Sequence, residues 1–157
     1  MIKKMFFGLL FSAAALFANA SEAIVLPQNE TASFMFVYLD AGTIVSFSLM
    51  EEVDATTVSV GNAIYFEVNA DVKVNEKIVI KSGVMAEGIV KKVVSGCDGK
   101  CSSITITVEN VETVDGQRIR IQSIPHTLKA PCCDGTAVIP IGTHVKAATL
   151  NKAKIKA

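Results

Sequence analysis

Apolar and polar residues alternate with a period of two along most of this chain. Val45, Phe47 and Leu49 fall on one side of a segment whose other side carries Ser46 and Ser48. Ile64, Phe66 and Val68 oppose Tyr65 and Glu67, and Ile104, Ile106 and Val108 oppose Thr105 and Thr107. Further on, Ile119 and Ile121 oppose Arg118, Arg120 and Gln122. A period of two marks strands with one buried face. Strands are predicted over residues 34–39, 43–49, 63–68, 77–80, 84–94, 103–111, 117–124 and 138–150. No stretch sustains three-and-four spacing with caps, although the acid-rich 51–54 piece is compatible with a helical turn.

Turn chemistry divides these runs. Gly61-Asn62 and Asn75-Glu76 suit tight turns, and Asp98-Gly99 and Asp115-Gly116 are hairpin signals between strand-like runs. A recurrent unit appears at 37–49, 77–94 and 138–150: an apolar run rises to Gly42, Gly83 or Gly142 and continues as a second extended segment. Glycine inside a strand pattern marks a bulge or sharp bend, so each unit reads as strand, kink, strand. The fold class predicted is all-β: a single soluble β-barrel or sandwich of about eight or nine short antiparallel strands bent by glycines. The alternation of Lys152, Lys154 and Lys156 with Ala153 and Ile155 fits an edge strand protected by lysines, or one that contacts an anionic partner.

The first twenty residues have a different character. Lys3 and Lys4 precede an almost wholly apolar stretch from Met5 to Phe17, and Ala18-Asn19-Ala20 closes it. That is the layout of a secretory signal peptide cut after Ala20, and the apolar stretch is short of the roughly 20 residues that span a bilayer. Residues 1–20 are thus expected to be a signal peptide, 21–33 a polar N-terminal arm, and 34–157 one β-barrel-like domain. Export implies a periplasmic, outer-membrane-associated or secreted location. Six aromatics follow the signal and cluster early, rather than forming the two girdles of an integral membrane barrel. Lys3 and Lys4 are two of fifteen basic residues, so thirteen remain against fifteen acidic ones. A mixed, weakly acidic surface gives no electrostatic reason to bind nucleic acid.

All four cysteines, Cys97, Cys101, Cys132 and Cys133, follow the signal. Counting strands places both cysteine-bearing segments at the same end of a meandering sheet. Two cross-loop disulfides, joining Cys97 and Cys101 to Cys132 and Cys133, suit an oxidising compartment and avoid the strained ring of an adjacent pair. A four-cysteine zinc site is the alternative, although C-x3-C followed by C-C departs from paired C-x2-C knuckles. No C-x-x-C redox motif is present.

Candidate chemistry is sparse. His126 in the proline-containing segment and His144 after a Gly-Thr kink read as surface residues, because no nucleophile motif accompanies either. Asp98 and Asp134 read as turn formers, and Glu51, Glu52 and Asp54 as a solvated acidic face. No catalytic, cofactor-binding or metal-binding residue is assigned, and no cofactor is expected.

The phrases Gly61-Asn62-Ala63-Ile64-Tyr65-Phe66-Glu67-Val68, Asp71-Val72-Lys73-Val74, Ile78-Val79-Ile80-Lys81-Ser82-Gly83 and Ala137-Val138-Ile139-Pro140-Ile141-Gly142-Thr143 resemble a type of uncharacterised bacterial envelope β-protein. More distantly, the chain is similar to the C-terminal β-barrel domain of the envelope-spanning protein of type IV secretion and conjugation. The resemblance implies an envelope β-barrel and transfers no functional residue. The function expected is that of a non-enzymatic envelope domain acting by protein–protein contact or in envelope assembly. The alternative is a small-molecule or metal-binding periplasmic module with its site at the cysteine-bearing end.

Overall fold

The alternating segments fold with their apolar sides turned inward. The computed structural model describes residues 35–96, 101–130 and 135–157. The expected signal peptide, the arm and Phe34 lie outside the described residues. In chain order the strands are β1 (Phe36–Leu39), β2 (Ile44–Leu49), β3 (Val53–Asp54), β4 (Ala63–Val68), β5 (Val72–Val74), β6 (Lys77–Ile80), β7 (Met85–Val94), β8 (Ser103–Glu112), β9 (Arg118–Ser123), β10 (His126–Lys129), β11 (Val138–Ile139), β12 (His144–Thr149) and β13 (Ala153–Lys156). Among the described residues none is helical, so no helix there is long and apolar enough to cross a membrane.

Six of these strands close on themselves. The order β8-β7-β4-β2-β12-β9 is completed by pairing of β9 with β8, and every pairing is antiparallel. Of the two architectures predicted, the barrel is therefore the one formed. A barrel this narrow is filled by side chains rather than left hollow. Phe47 and Phe66 supply the bulk, while Ala86, opposite Phe66, and Gly88, beside its ring, are the small neighbours that make room. A Cβ on Gly88 would lie 2.2 Å from the Thr107 carbonyl oxygen and 2.6 Å from the Phe66 ring. Glycine here is a packing requirement, and the β7–β8 register shifts beside it.

The three glycine units are the corners by which the chain enters barrel strands. Gly42, Gly83 and Gly142 have φ of 84°, 81° and 81°, a conformation glycine adopts without penalty at the third position of a turn. Each corner glycine also donates its amide to the last residue of a neighbouring barrel strand: Gly42 to Thr149 at 2.8 Å, Gly83 to Val68 at 2.8 Å and Gly142 to Leu49 at 2.7 Å. The corner thus begins the ladder as well as turning the chain.

Two of the units are images of one another at an offset of one hundred residues. The strand before each corner pairs with the strand that follows the other unit's barrel strand: β1 with β13, and β11 with β3. This pairing corrects one expectation. Residues 51–54 contain strand β3 rather than a helical turn, because fully buried Val53 sits opposite Ile139. A second correction concerns the segment after Pro125, which falls outside the strands predicted from alternation. It carries β10, with His126 opposite Ile106 of β8. The lysine strand is also placed: β13 is covered on one edge by β1 and touched on the other by the Asp115–Gln117 turn.

Candidate interaction surface

At the end of the barrel where β7 turns into β8, Ser102 is buried and holds the other cysteine-bearing segment at both of its flanks. The Ala130 amide donates to the Ser102 carbonyl at 2.9 Å, and the Ala137 amide to Ser102 Oγ at 3.1 Å. Described residues on either side of the two cysteine-bearing segments therefore adjoin one another at Ser102. Cys101 is half-buried and makes no disulfide among the described residues; Cys97, Cys132 and Cys133, like Asp98 and Asp134, lie outside the described residues. A hollow of about 190 Å³ opens beside Gly96, Ser102 and Thr136. Among the described residues, no three His, Cys, Asp or Glu side chains group as metal ligands.

The histidines and acids fall elsewhere. His144 stands opposite Ser48 on the outer wall, its Nδ1 3.1 Å from both Ser48 Oγ and Asn69 Nδ2. The Ser48 hydroxyl donates to Asn69 Oδ1 at 2.7 Å, so its proton is directed away from the imidazole. His126 is half-exposed on β10, opposite Ile106 of β8. The three acids of the 51–54 piece serve the local backbone or solvent. Glu51 accepts from the Tyr65 amide at 3.3 Å, Glu52 is exposed, and Asp54 accepts from the amide and hydroxyl of Thr56. Those two bonds, the amide first, draw the Asp54 carboxyl below the usual carboxylate range.

The most distinctive surface lies along β9. Arg120 pairs with Asn110 of β8, but the next part of β9 turns to β12, with Ile121 opposite Thr149. The chain returns to β8 only at His126. Between Arg120 and His126 the chain advances six positions while β8 moves back four, from Asn110 to Ile106. The surplus bulges outward and leaves Ile124 85 % exposed. Two overlapping hollows of about 470 and 430 Å³ flank the bulge, sharing Gln122, Ser123, Pro125 and Leu150. Leu150 is itself 43 % exposed. A broken alternation was the available signal, since Ile124 follows Arg118, Arg120 and Gln122 on the outward parity and precedes a proline.

Next to it the β1–β13 ribbon presents an alternating row. Lys154 Nζ lies 4.0 Å from the centre of the Phe36 ring, and Lys152 Nζ lies 5.1 Å from that of Tyr38. Both rings are more than half exposed. Lysine over an aromatic face is stabilised by about 0.5–1 kcal/mol at such sites, and the stems shield the rings from water.

Comparison with protein-family models and with curated proteins finds no match to this chain.

Proposed function

We propose that the chain is an exported, non-enzymatic envelope β-barrel domain that works by binding another envelope protein. The observation that carries this reading is the apolar lip formed by Ile124, Pro125 and Leu150 beside an open groove. A large aliphatic side chain held in water beside other apolar surface is stabilised by an occupant that covers it. The Lys-rich start, apolar stretch and small-residue end of residues 1–20 support export with cleavage after Ala20, and the likeness to envelope secretion barrels belongs to the same proposal. A photo-crosslinking residue at position 124, in protein exported to the periplasm, is expected to trap one discrete partner. Ile124→Asp in the unmodified protein is expected to lose that partner in competition. Trapping only random background proteins at position 124 would sink the reading.

The second reading places a small ligand or metal at the cysteine-bearing end, favoured by the roughly 190 Å³ hollow beside Ser102. Elemental analysis of the exported protein is its test: zinc at one atom per chain would favour it over the first reading.

A further inference from the structure

The groove has a cationic continuation. Residues 117–120 run alongside 150–154, with the Leu150 amide donating to the Arg120 carbonyl at 3.0 Å and Gln117 Nε2 to the Lys154 carbonyl at 2.9 Å. Between them lies a hollow of about 370 Å³ whose walls include Arg118, Arg120, Lys152 and Lys154 and no acidic residue. The whole chain has a formal net charge of zero, so four cations on one seam are a local concentration. Arg120 makes no ion pair among the described residues, and Lys154 rests over Phe36. Arg118 is 3.7 Å from Glu87 and Lys152 3.2 Å from Asp40, all four side chains well exposed. Surface pairs of that kind hold weakly and exchange readily for a better anion. Arg120 also lines the hollow beside Ile121 and Leu150, where Glu109 is already paired with Lys91 at 2.9 Å, so the cationic seam and the apolar lip are one surface.

The spacing identifies the occupant. Arg118 and Arg120 are two apart on β9, which sets their Cα atoms about 7 Å apart, and Lys152 and Lys154 are likewise two apart on the facing run. An extended peptide sends alternate side chains to opposite sides at that same interval. We propose that the seam docks an extended acidic segment of a partner polypeptide, with consecutive carboxylates reaching Arg118 and Arg120 on one wall and Lys152 and Lys154 on the other. An apolar residue next to the acidic run covers Ile124, Pro125 and Leu150. Arginine gives the paired hydrogen bonds that carboxylates accept, and lysine the point charge. The concave walls suit a chain lying in the seam rather than the plane of a lipid surface. This proposal rests on the protein-binding reading and specifies its partner.

The test is fluorescence anisotropy with a labelled Leu-Gly-Glu-Glu-Glu-Glu peptide at low salt. Saturable binding is expected, weakened about tenfold by Arg118→Glu with Arg120→Glu and by Lys152→Glu with Lys154→Glu. With the unmodified protein, binding is expected to fall steadily as salt rises from about 50 to about 500 mM, a check that needs no variant. A peptide with Lys in place of Glu is expected not to bind. Circular dichroism establishes that each variant is folded. No saturable binding, equal binding of the Lys peptide, or indifference to both charge reversals would overturn the proposal. So would loss of binding to phosphatidylglycerol vesicles with peptide binding unchanged, which would make the seam a lipid surface. If position 124 traps the same partner in the arginine-reversed variant, the acidic-segment proposal fails while the protein-binding reading stands.

Discussion

Ser46 and Lys146 stand opposite one another at the centre of the β2–β12 ladder, one hundred positions apart in the chain. Shifting either strand's numbering by one hundred therefore maps the ladder onto itself: Ser48 pairs with His144, and Ile44 with Ala148. The corners obey the same relation. Thr43 Oγ1 donates to the Asp40 carbonyl at 2.8 Å and Thr143 Oγ1 to the Pro140 carbonyl at 2.7 Å. Strands β1–β3 and β11–β13 are one structural unit used twice.

Equivalent corners predict equivalent costs. At Gly42 and Gly142 a Cβ meets nothing within 4 Å, so alanine suffers only the positive φ, about 1–2 kcal/mol. Gly88→Ala is different, because its Cβ collides with the Thr107 backbone and the Phe66 ring. It is expected to cost about 3 kcal/mol or more. Urea denaturation of the three variants checks the order, and a Gly88→Ala protein as stable as Gly42→Ala would contradict it.

These particulars also show what the sequence made legible. Alternation in 43–49 and 63–68 fixed which residues face the core, because a one-residue slip would expose the whole set. The glycine units and the Asp115-Gly116 turn were readable for the same local reason: positive φ favours few residues, and Asn75 and Glu76 at φ 48° and 64° lie in the expected tight turn. Closure of the barrel was not readable, since it depends on β9 pairing with β8 and β12 at once. Nor was the cationic seam. Arg118 and Arg120 were visible as outward residues, but only tertiary folding sets them beside Lys152 and Lys154, more than thirty positions away.

Asp115 ties the β8–β9 turn to β13. Its Oδ1 accepts from the Thr113 hydroxyl at 2.6 Å, and its Oδ2 from the Lys156 amide at 2.9 Å. Partial burial works against the charge, but bonds from the Lys156 amide, the Thr113 hydroxyl and Gln117 outweigh it and lower the carboxyl from 3.8 to about 2. A folded-state value below the unfolded one stabilises the protein at pH above the unfolded value and ceases to do so as pH falls through the folded one. Stability is therefore expected to drop between about pH 4 and pH 2, by about 1 kcal/mol once solvent screening is allowed for. Asp115→Asn should flatten that part of a stability–pH profile; an unchanged acid limb would exclude the role.

Ser102 predicts how the cysteine-bearing end behaves. Ala137 is fully buried, and Ser102→Ala leaves its amide without the Oγ acceptor, a loss of about 1–3 kcal/mol. Hydrogen exchange at Ala137 is expected to speed up. With the flanks of both segments held together at Ser102, oxidising export is expected to join Cys97 and Cys101 to Cys132 and Cys133. Intact-mass measurement of the non-reduced exported protein should then fall short of the reduced mass by four hydrogens. Four alkylatable thiols in exported protein would exclude the pairing.

Ile121 and Ile124 separate stability from recognition within one strand and its bulge. Ile121 is 5 % exposed inside the barrel and Ile124 85 % exposed outside it. Ile121→Ala removes packed core volume and is expected to cost about 2–4 kcal/mol. Ile124→Ala removes a side chain that touches mostly water, so unfolding free energy should stay within about 0.5 kcal/mol. Partner capture should change in the opposite sense, falling more sharply for Ile124→Ala than for the folded fraction of Ile121→Ala. Denaturation curves paired with partner titrations check this directly. Equal capture by Ile124→Ala and the unmodified protein would show that the exposed isoleucine is not part of the docking surface.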